Sequence, residues 1–299
     1  MSVDFGLVLQ PGWRPLEPPD ILTFNRRAIS LLSPEFTTLW TEDHFQKGAS
    51  PALEAWTTLS FMAAEFPRYR LGNLVLSQSY RNPAMLAKMS ATLQYLSGGR
   101  LILGIGAGWQ DDEYRAYGYA FPSPGVRVAQ LTEAIELLRV MWTESPATYH
   151  GQHYQVENAS CEPRPDPLPP IVVGAEGEKM LKVVARLADG WNTGLPLEAF
   201  QRRYALLRQY CQEIGRDPHE IAVSLYAHAY FPGDATDYAE RAEALRAGGV
   251  HLLGPTPAAA LATLQPYAAA GVSHFTIKPH TLATVERFCA EVAPALASA

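Results

Sequence analysis

The sequence predicts a single (β/α)8 barrel, in which eight parallel strands alternate with helices. Three observations support this prediction: about eight short apolar runs alternate with segments of helical period, the chain has 299 residues, and no clear boundary divides it. Such alternation favours a parallel sheet, and a chain of roughly 250 to 300 residues is long enough to close that sheet into a barrel. A doubly wound open sheet is the alternative, because it shows the same alternation.

The predicted strands are short apolar runs bounded by turn residues. In chain order they are 3–9, 36–40, 71–77, 100–108, 171–175, 189–193, 221–230 and 274–278. Apolar side chains at spacings of three and four predict the helices between them. These helices cover 20–32, 51–65, 83–96, a segment around 131–142, 177–188, 200–214, 236–247, 257–269 and 281–297.

We predict one domain, residues 1–299, with an insertion at about 145–170. ATYHGQHYQVE (147–157) has Gly151 between two tyrosine-bearing stretches, which indicates a hairpin. PRPDPLPP (163–170) follows, and its prolines would also suit a linker between two domains. The insertion is favoured because strands and helices alternate on both sides of it.

The composition excludes several classes of protein. Lys and Arg number 24 against 30 Asp and Glu, so the chain lacks the basic excess of a nucleic-acid-binding protein. No apolar run approaches the roughly 18 to 20 residues that span a bilayer, and the first residues do not form a secretory signal. Cys161, Cys211 and Cys289 are odd in number and far apart, which suits a reducing cytoplasm. We therefore expect a cytoplasmic protein whose partner is a small molecule.

Two acids and a histidine follow the second predicted strand. Because functional groups of a barrel lie at the carboxyl ends of its strands, Glu42, Asp43 and His44 are candidates for proton transfer. A histidine oriented by a carboxylate titrates near neutrality and can act as an acid or a base. The alternative is that all three are solvated loop residues.

Glycine-rich turns follow the fourth and fifth predicted strands. The glycines of GIGAGW (104–109) allow a flat ligand to approach the backbone, although Trp109 replaces the third glycine of a dinucleotide motif. GAEG (174–177) opens a helix whose amino terminus would suit a phosphate. Ordinary helix capping is the alternative, and Glu176 weakens the phosphate interpretation.

The run SYRNPAMLAKMSATLQYLSGGRLILGIGAGWQDDEYRAYG (79–118) closely resembles the luciferase-like monooxygenase superfamily. LWTEDHFQ (39–46) and PPIVVGAEGEKMLKVVARLADGWN (169–192) fit the same family in order. The resemblance covers roughly residues 1–280 and points to the subgroup of coenzyme F420-dependent oxidoreductases. It implies a (β/α)8 barrel with insertions, and a flavin-type ring, from FMN or the deazaflavin F420, lying across the barrel mouth.

The resemblance also implies the site residues. Leu74, Val75 and Leu76, with a non-prolyl cis peptide near Leu74–Val75, would support the ring, and the backbone around Gly106 and Ala107 would line it. The phosphate would bind at Gly174, Ala175, Glu176 and Gly177. His44 becomes the leading catalytic candidate, with Asp43 or Glu42 setting its tautomer and with Glu113 as a further nearby carboxylate. Trp40 and Trp109 are expected to wall the substrate pocket, with packing at the barrel rim as the alternative.

Three functions stay open at this point. The first is hydride transfer between F420 and a small organic substrate, and the second is an FMN-dependent monooxygenase that uses dioxygen and a partner reductase. The third is a non-catalytic flavin-binding protein, against which the Asp43-His44 pair argues. Trp109 stands where one F420-dependent branch has a glutamate, so the sugar-phosphate substrate of that branch is not supported. The resemblance further implies a homodimer or higher oligomer that packs through the helices 53–65 and 83–96.

Overall fold

The computed structural model describes residues 3–12, 20–46, 48, 50–232, 235–247 and 250–298. Its strands are β1 (Asp4–Val8), β2 (Phe36–Thr41), β3 (Arg70–Asn73), β4 (Leu76–Ser77), β5 (Leu101–Gly106), β6 (Ala147–His150), β7 (Gln155–Ala159), β8 (Ile171–Gly174), β9 (Gly190–Thr193), β10 (Ala222–Ala229), β11 (Leu252–Leu253) and β12 (His274–Pro279). Eight of these strands pair in parallel in the order β1-β2-β3-β5-β8-β9-β10-β12, and β12 pairs with β1. The predicted closed barrel is confirmed, and the open sheet is wrong.

Helices cover the outside of the barrel between most of the strands. They are α1 (Ile21–Ser30), α2 (Ala55–Glu65), α3 (Pro83–Ser97), α4 (Asp111–Ala116), α5 (Pro124–Thr143), α6 (Glu178–Leu187), α7 (Leu197–Glu213), α8 (Ala235–Ala247), α9 (Pro257–Ala269), α10 (Leu282–Arg287) and α11 (Ala293–Ala297). The sequence signals for α3 act as expected: the Asn82 side chain accepts hydrogen bonds from the first-turn amides, and Gly98 ends the helix with φ 69°. None of the helices in the described ranges is long and apolar enough to cross a membrane.

The structure corrects three details of the predicted elements. The predicted strand 71–77 is divided into β3 and β4 by the Leu74–Val75 segment, whose peptide bond is cis. The predicted loop after residue 108 contains the short helix α4, which begins at Asp111 with three acids in its first turn, where they complement the helix dipole. The predicted helix 281–297 contains a π-helical segment, Phe288–Val292, between α10 and α11.

A two-stranded antiparallel sheet lies outside the barrel, within the predicted insertion. Its strands β6 and β7 are joined by a turn at Gly151. The Glu133 carboxylate on α5 accepts hydrogen bonds from the amides of Gln152, His153 and Tyr154 at 3.0, 2.7 and 3.1 Å. This carboxylate therefore fastens the hairpin turn to the helix that precedes it.

Trp40 fills the interior of the barrel. Its side chain is buried, and a Cβ atom at Gly6 or Gly72 would come within 2.2 or 2.3 Å of the indole, so these two glycines make room for the ring. The indole nitrogen donates to Thr38 Oγ1 at 3.0 Å and to His274 Nε2 at 3.2 Å. Trp40 lines a cavity of about 250 Å³ at the amino-terminal end of the barrel, not those at the carboxyl end. The structure therefore places Trp40 away from the predicted substrate pocket. Its ring lies inside the barrel because the glycines beside it have no side chains to collide with it.

Candidate active site

Two adjoining cavities lie at the carboxyl ends of the barrel strands. The larger measures about 460 Å³ and the smaller about 90 Å³, and they share Leu74, Val75, Gly108 and Trp109 in their walls. The predicted cofactor-binding residues that line the larger cavity are Leu74, Val75, Gly106, Ala107, Gly174, Ala175 and Glu176. Leu76 lines the smaller cavity, and Gly177 lines neither because it caps the start of α6.

The floor of the larger cavity is made of backbone and one small side chain. Val75 packs against two glycines: a Cβ atom at Gly106 or Gly174 would lie 2.9 or 2.8 Å from Val75 Cγ2. At Gly104, a Cβ atom would lie 1.7 Å from the backbone oxygen of Asn73. Gly104 and Gly106 on β5 and Gly174 on β8 thus leave no room for a side chain, and the floor beside Val75 is a low surface that a planar ring could cover.

His44 is held by Glu113, which lies 69 residues further along the chain. His44 Nδ1 lies 3.1 and 3.0 Å from the two carboxylate oxygens of Glu113. Glu113 is fully buried and also accepts hydrogen bonds from the amides of Phe45 and Gln46 and from the hydroxyl of Tyr80. The carboxylate that contacts Nδ1 is therefore Glu113, which α4 brings to the imidazole, while Glu42 interacts with His44 electrostatically.

Burial and the neighbouring Glu113 carboxylate raise the pKa of Tyr80, so its hydroxyl stays protonated and donates to Glu113. With Nδ1–H of His44 also donating to that carboxylate, Nε2 is the imidazole nitrogen that can take up a proton. Trp109 approaches the other side of the ring in an edge-to-face contact, with ring centroids 5.7 Å apart. Trp109 also lines both cavities, as expected for a wall of the substrate pocket.

Asp43 fastens the loop after β2 to the neighbouring strand and helix. Its carboxylate accepts two hydrogen bonds from Arg81, at 2.9 and 3.0 Å, and one from the amide of Ser77 at 2.9 Å. Arg81 also forms an ion pair with Glu54, the residue that caps the start of α2. Asp43 borders the smaller cavity, and these contacts hold its carboxylate in place next to His44.

A second polar cluster, of which only Glu42 was predicted from the sequence, lies where β2, β10 and β12 end. Glu42 forms an ion pair with Lys278, and the hydroxyl of Tyr226 donates to Glu42 Oε1 at 2.7 Å. Tyr226 also lies 2.6 Å from His228 Nε2, and His228 Nδ1 lies 2.9 Å from His280 Nε2. Burial alone would raise the pKa of Glu42, but Lys278 and the hydrogen bonds hold that pKa below its ordinary value.

The pattern that marks this cluster in the sequence is alternation. Tyr226 and His228 are two residues apart, as are Lys278 and His280, and inward positions of a strand recur with period two. Polar residues at inward positions near the carboxyl end of a barrel strand indicate a functional or structural network. Alternating polar residues along and just after β10 and β12 are therefore the sequence signal for this cluster.

Enzymes built on a closed (β/α)8 barrel carry their functional groups at the carboxyl ends of the strands, as this chain does. The chain belongs to one family of such proteins, the luciferase-like monooxygenases, whose family model matches residues 35–288. The resemblance predicted from residues 79–118 is confirmed.

Two relatives illustrate the sequence similarity. The F420-dependent glucose-6-phosphate dehydrogenase of Kineococcus radiotolerans is 35% identical over 193 residues, which are 62% of this chain and 56% of that protein. An uncharacterized protein of Mycobacterium tuberculosis is 36% identical over 177 residues, which are 58% of this chain and 62% of that protein. The chain thus matches little more than half the length of these curated relatives.

Solved structures show the same fold at lower identity. An F420-dependent secondary alcohol dehydrogenase in complex with an F420-acetone adduct has a TM-score of 0.86 at 19% identity, with 99% of each chain covered. The EDTA monooxygenase of Chelativorans sp. BNC1 has a TM-score of 0.82 at 16% identity, covering 100% of this chain and 94% of that one. At these identities the likeness concerns the fold alone.

Proposed function

We propose that the protein is an F420-dependent oxidoreductase that transfers a hydride between the deazaflavin and a small organic substrate. The observation that carries this proposal is the junction of the two cavities: the flat glycine floor meets the His44–Glu113 pair where Leu74, Val75 and Trp109 line both. A ring on that floor would lie beside a proton-transferring group. The name of the Kineococcus relative, an F420-dependent dehydrogenase, supports the choice of cofactor.

The residues of the larger cavity fit a planar ring with a polar side chain. Val75 packs directly against Gly106 and Gly174, so no side chain of these two residues stands up from the floor. Further along the wall, the buried Nε2 atom of His251 has no hydrogen-bond partner within the described chain, which leaves it for a ligand. A bound deazaflavin supplies the two-electron hydride chemistry, while the protein supplies position and proton transfer.

His44 is the group that we propose to exchange a proton with the substrate. If an alcohol is the substrate, its hydroxyl would lose a proton to His44 Nε2, and a bound deazaflavin would supply the acceptor for the hydride that leaves its carbon. The buried Glu113 carboxylate then stabilises the imidazolium through Nδ1–H. In the reverse direction, His44 returns that proton to the oxygen of the reduced carbonyl. Tyr80 and the amides of Phe45 and Gln46 keep Glu113 in place throughout.

A neutral substrate suits the cavities better than a sugar phosphate. Among the described residues that line the two cavities, none is Lys or Arg, and Asp43, Glu113 and Glu176 are acids. Arg81 lies close by, but both Asp43 and Glu54 already engage it. We therefore propose short ketones and secondary alcohols as the substrate class, to be screened as a panel.

Titration calorimetry with F420 and with FMN tests the choice of cofactor. We expect micromolar binding of F420 and much weaker binding of FMN, followed by turnover of at least one ketone or alcohol of the panel. Tight FMN binding with flavin-dependent oxygen uptake would instead support an FMN-dependent monooxygenase served by a partner reductase, the second candidate, which the fold of the EDTA monooxygenase also accommodates. Binding without any turnover would favour the non-catalytic alternative.

We also propose that the protein forms a homodimer or higher oligomer through α2 and α3. An apolar groove of about 460 Å³ lies between these helices, bordered by Met85, Met89 and Leu96, of which Leu96 is 73% exposed. An exposed apolar surface of this kind is typical of an interface between proteins. We expect light scattering to give at least twice the mass of the 32.8 kDa chain, and Leu96→Glu to lower it. A monomeric wild type would contradict the proposal.

A further inference from the structure

His251 lines the larger cavity, and its buried Nε2 atom has no hydrogen-bond partner among the described residues. His251 follows α8, and its other ring nitrogen interacts with the backbone carbonyl of Leu195. Burial lowers the pKa of His251, so the imidazole is neutral near pH 7 and carries a single N–H. That N–H donates a hydrogen bond to the Leu195 carbonyl, because Nε2 has no hydrogen-bond partner among the described residues. Nε2 is therefore a lone-pair acceptor in the cavity wall.

A second acceptor lies close to it. Glu176 lines the same cavity, and its Oε1 atom lies 4.0 Å from where a Cβ atom on Gly194 would be. Its negative charge also acts on His251. The carboxylate therefore lies on the side of the cavity that Gly194 and His251 line. Within the described lining of this cavity, no Lys or Arg offsets the charge.

We propose that His251 Nε2 and the Glu176 carboxylate form a subsite that binds hydroxyl groups of the cofactor side chain and excludes its phosphate. A hydroxyl can donate to either acceptor, whereas a phosphate offers only acceptors and negative charge. This inference rests on the proposed function and deepens it. It also moves the phosphate, which the sequence placed at GAEG (174–177), away from Glu176 and toward solvent.

Pairs of ligands that differ in the phosphate test the subsite by fluorescence titration. The pairs are F420 with the same deazaflavin lacking its phosphate-bearing tail, and FMN with riboflavin. We expect the two members of a pair to bind within about threefold of each other, a small difference in free energy. Binding of the phosphate form more than about tenfold more tightly would overturn the inference.

Variants make the test specific to these side chains. Glu176→Gln is expected to tighten binding of the phosphate-bearing ligand of each pair by about tenfold. Binding of the phosphate-free ligand is expected to change by less than about threefold. The control is Glu178→Gln, which removes the same charge from the first turn of α6 but outside the cavity. His251→Phe is expected to weaken the binding of both ligands of a pair equally, by about tenfold. Equal changes of ligand affinity in the Glu176 and Glu178 variants would contradict the subsite. Unchanged affinity in the Glu176 variant or in the His251 variant would also contradict it.

The outcomes separate this inference from the proposed function. If F420 binds and supports turnover but the tail-free deazaflavin binds far more weakly, only the subsite is wrong. If neither pair binds, the cavity does not hold a flavin or deazaflavin, and both proposals fail.

Discussion

Replacing His44 with alanine is expected to lower kcat/KM for the best ketone or alcohol by about 10²–10⁴-fold, the usual contribution of a positioned acid or base. The reason is that Nε2 of this imidazole, in the wall of the smaller cavity, is the atom that we propose to transfer the proton. Affinity for F420 is expected to change by less than about threefold, because the loss concerns the transition state. Steady-state kinetics and calorimetry on the same preparation measure both quantities.

Two further variants distinguish a catalytic from a structural effect of the His44 change. Glu113→Gln keeps the shape of the side chain but removes the charge that stabilises the imidazolium, so we expect a large loss of kcat with little change in KM. His150→Ala, in the exposed hairpin strand β6, is the matched histidine control and is expected to leave the kinetics unchanged. Wild-type activity in the His44→Ala variant would rule out the proposed proton transfer.

Replacing Lys278 with methionine is expected to lower the free energy of unfolding by about 3–5 kcal/mol. Lys278 is 2% exposed and its partner Glu42 is 10% exposed, so the substitution leaves a carboxylate buried without its counter-charge. The expected loss arises from that unpaired charge rather than from the attraction between the two groups. Urea denaturation followed by circular dichroism gives the value.

The double variant Glu42→Gln/Lys278→Met is expected to recover most of that loss, because it removes both charges. Lys179→Met, at an exposed position of α6, is the matched lysine control and is expected to change stability by less than about 0.5 kcal/mol. A Lys278→Met variant as stable as this control would contradict the argument.

The same ion pair sets a dependence of stability on pH. The pKa of Glu42 in the folded chain lies below its ordinary value of 4.5, so the unfolded chain binds the proton more readily. The stabilisation is therefore complete above about pH 4.5 and is lost as the pH falls through the lowered value. Unfolding curves of the double variant should lack this part of the acid sensitivity.

The parts of the fold that sequence reasoning predicted are those with local causes. The start of α3 at Asn82 and Pro83 and its end at Gly98 each depend on residues within one turn. The glycine floor was also predictable, because GIGAGW and GAEG are contiguous patterns. These local features, repeated along the chain, were sufficient to indicate a closed barrel.

The partners of the site residues depend on contacts that no local pattern specifies. Asp43 and Glu42 are the nearest acids to His44 in sequence, yet Glu113 holds its ring because α4 folds over the end of β2. Lys278 reaches Glu42 across 236 positions of the chain, and only the closing of β12 onto β1 brings them together. Trp40, an expected wall of the substrate pocket, lies inside the barrel instead, because Gly6 and Gly72 on neighbouring strands make room for its ring.

The indole of Trp40 also affects how ligands can reach the cavities, because it lies on the barrel axis. It packs with Val8 and Ile102 between the amino-terminal cavity and Leu74 and Tyr226, which line the catalytic side. The barrel axis is therefore plugged rather than open along its length. A cofactor and a substrate that bind in the two cavities would therefore both enter from the carboxyl end of the barrel.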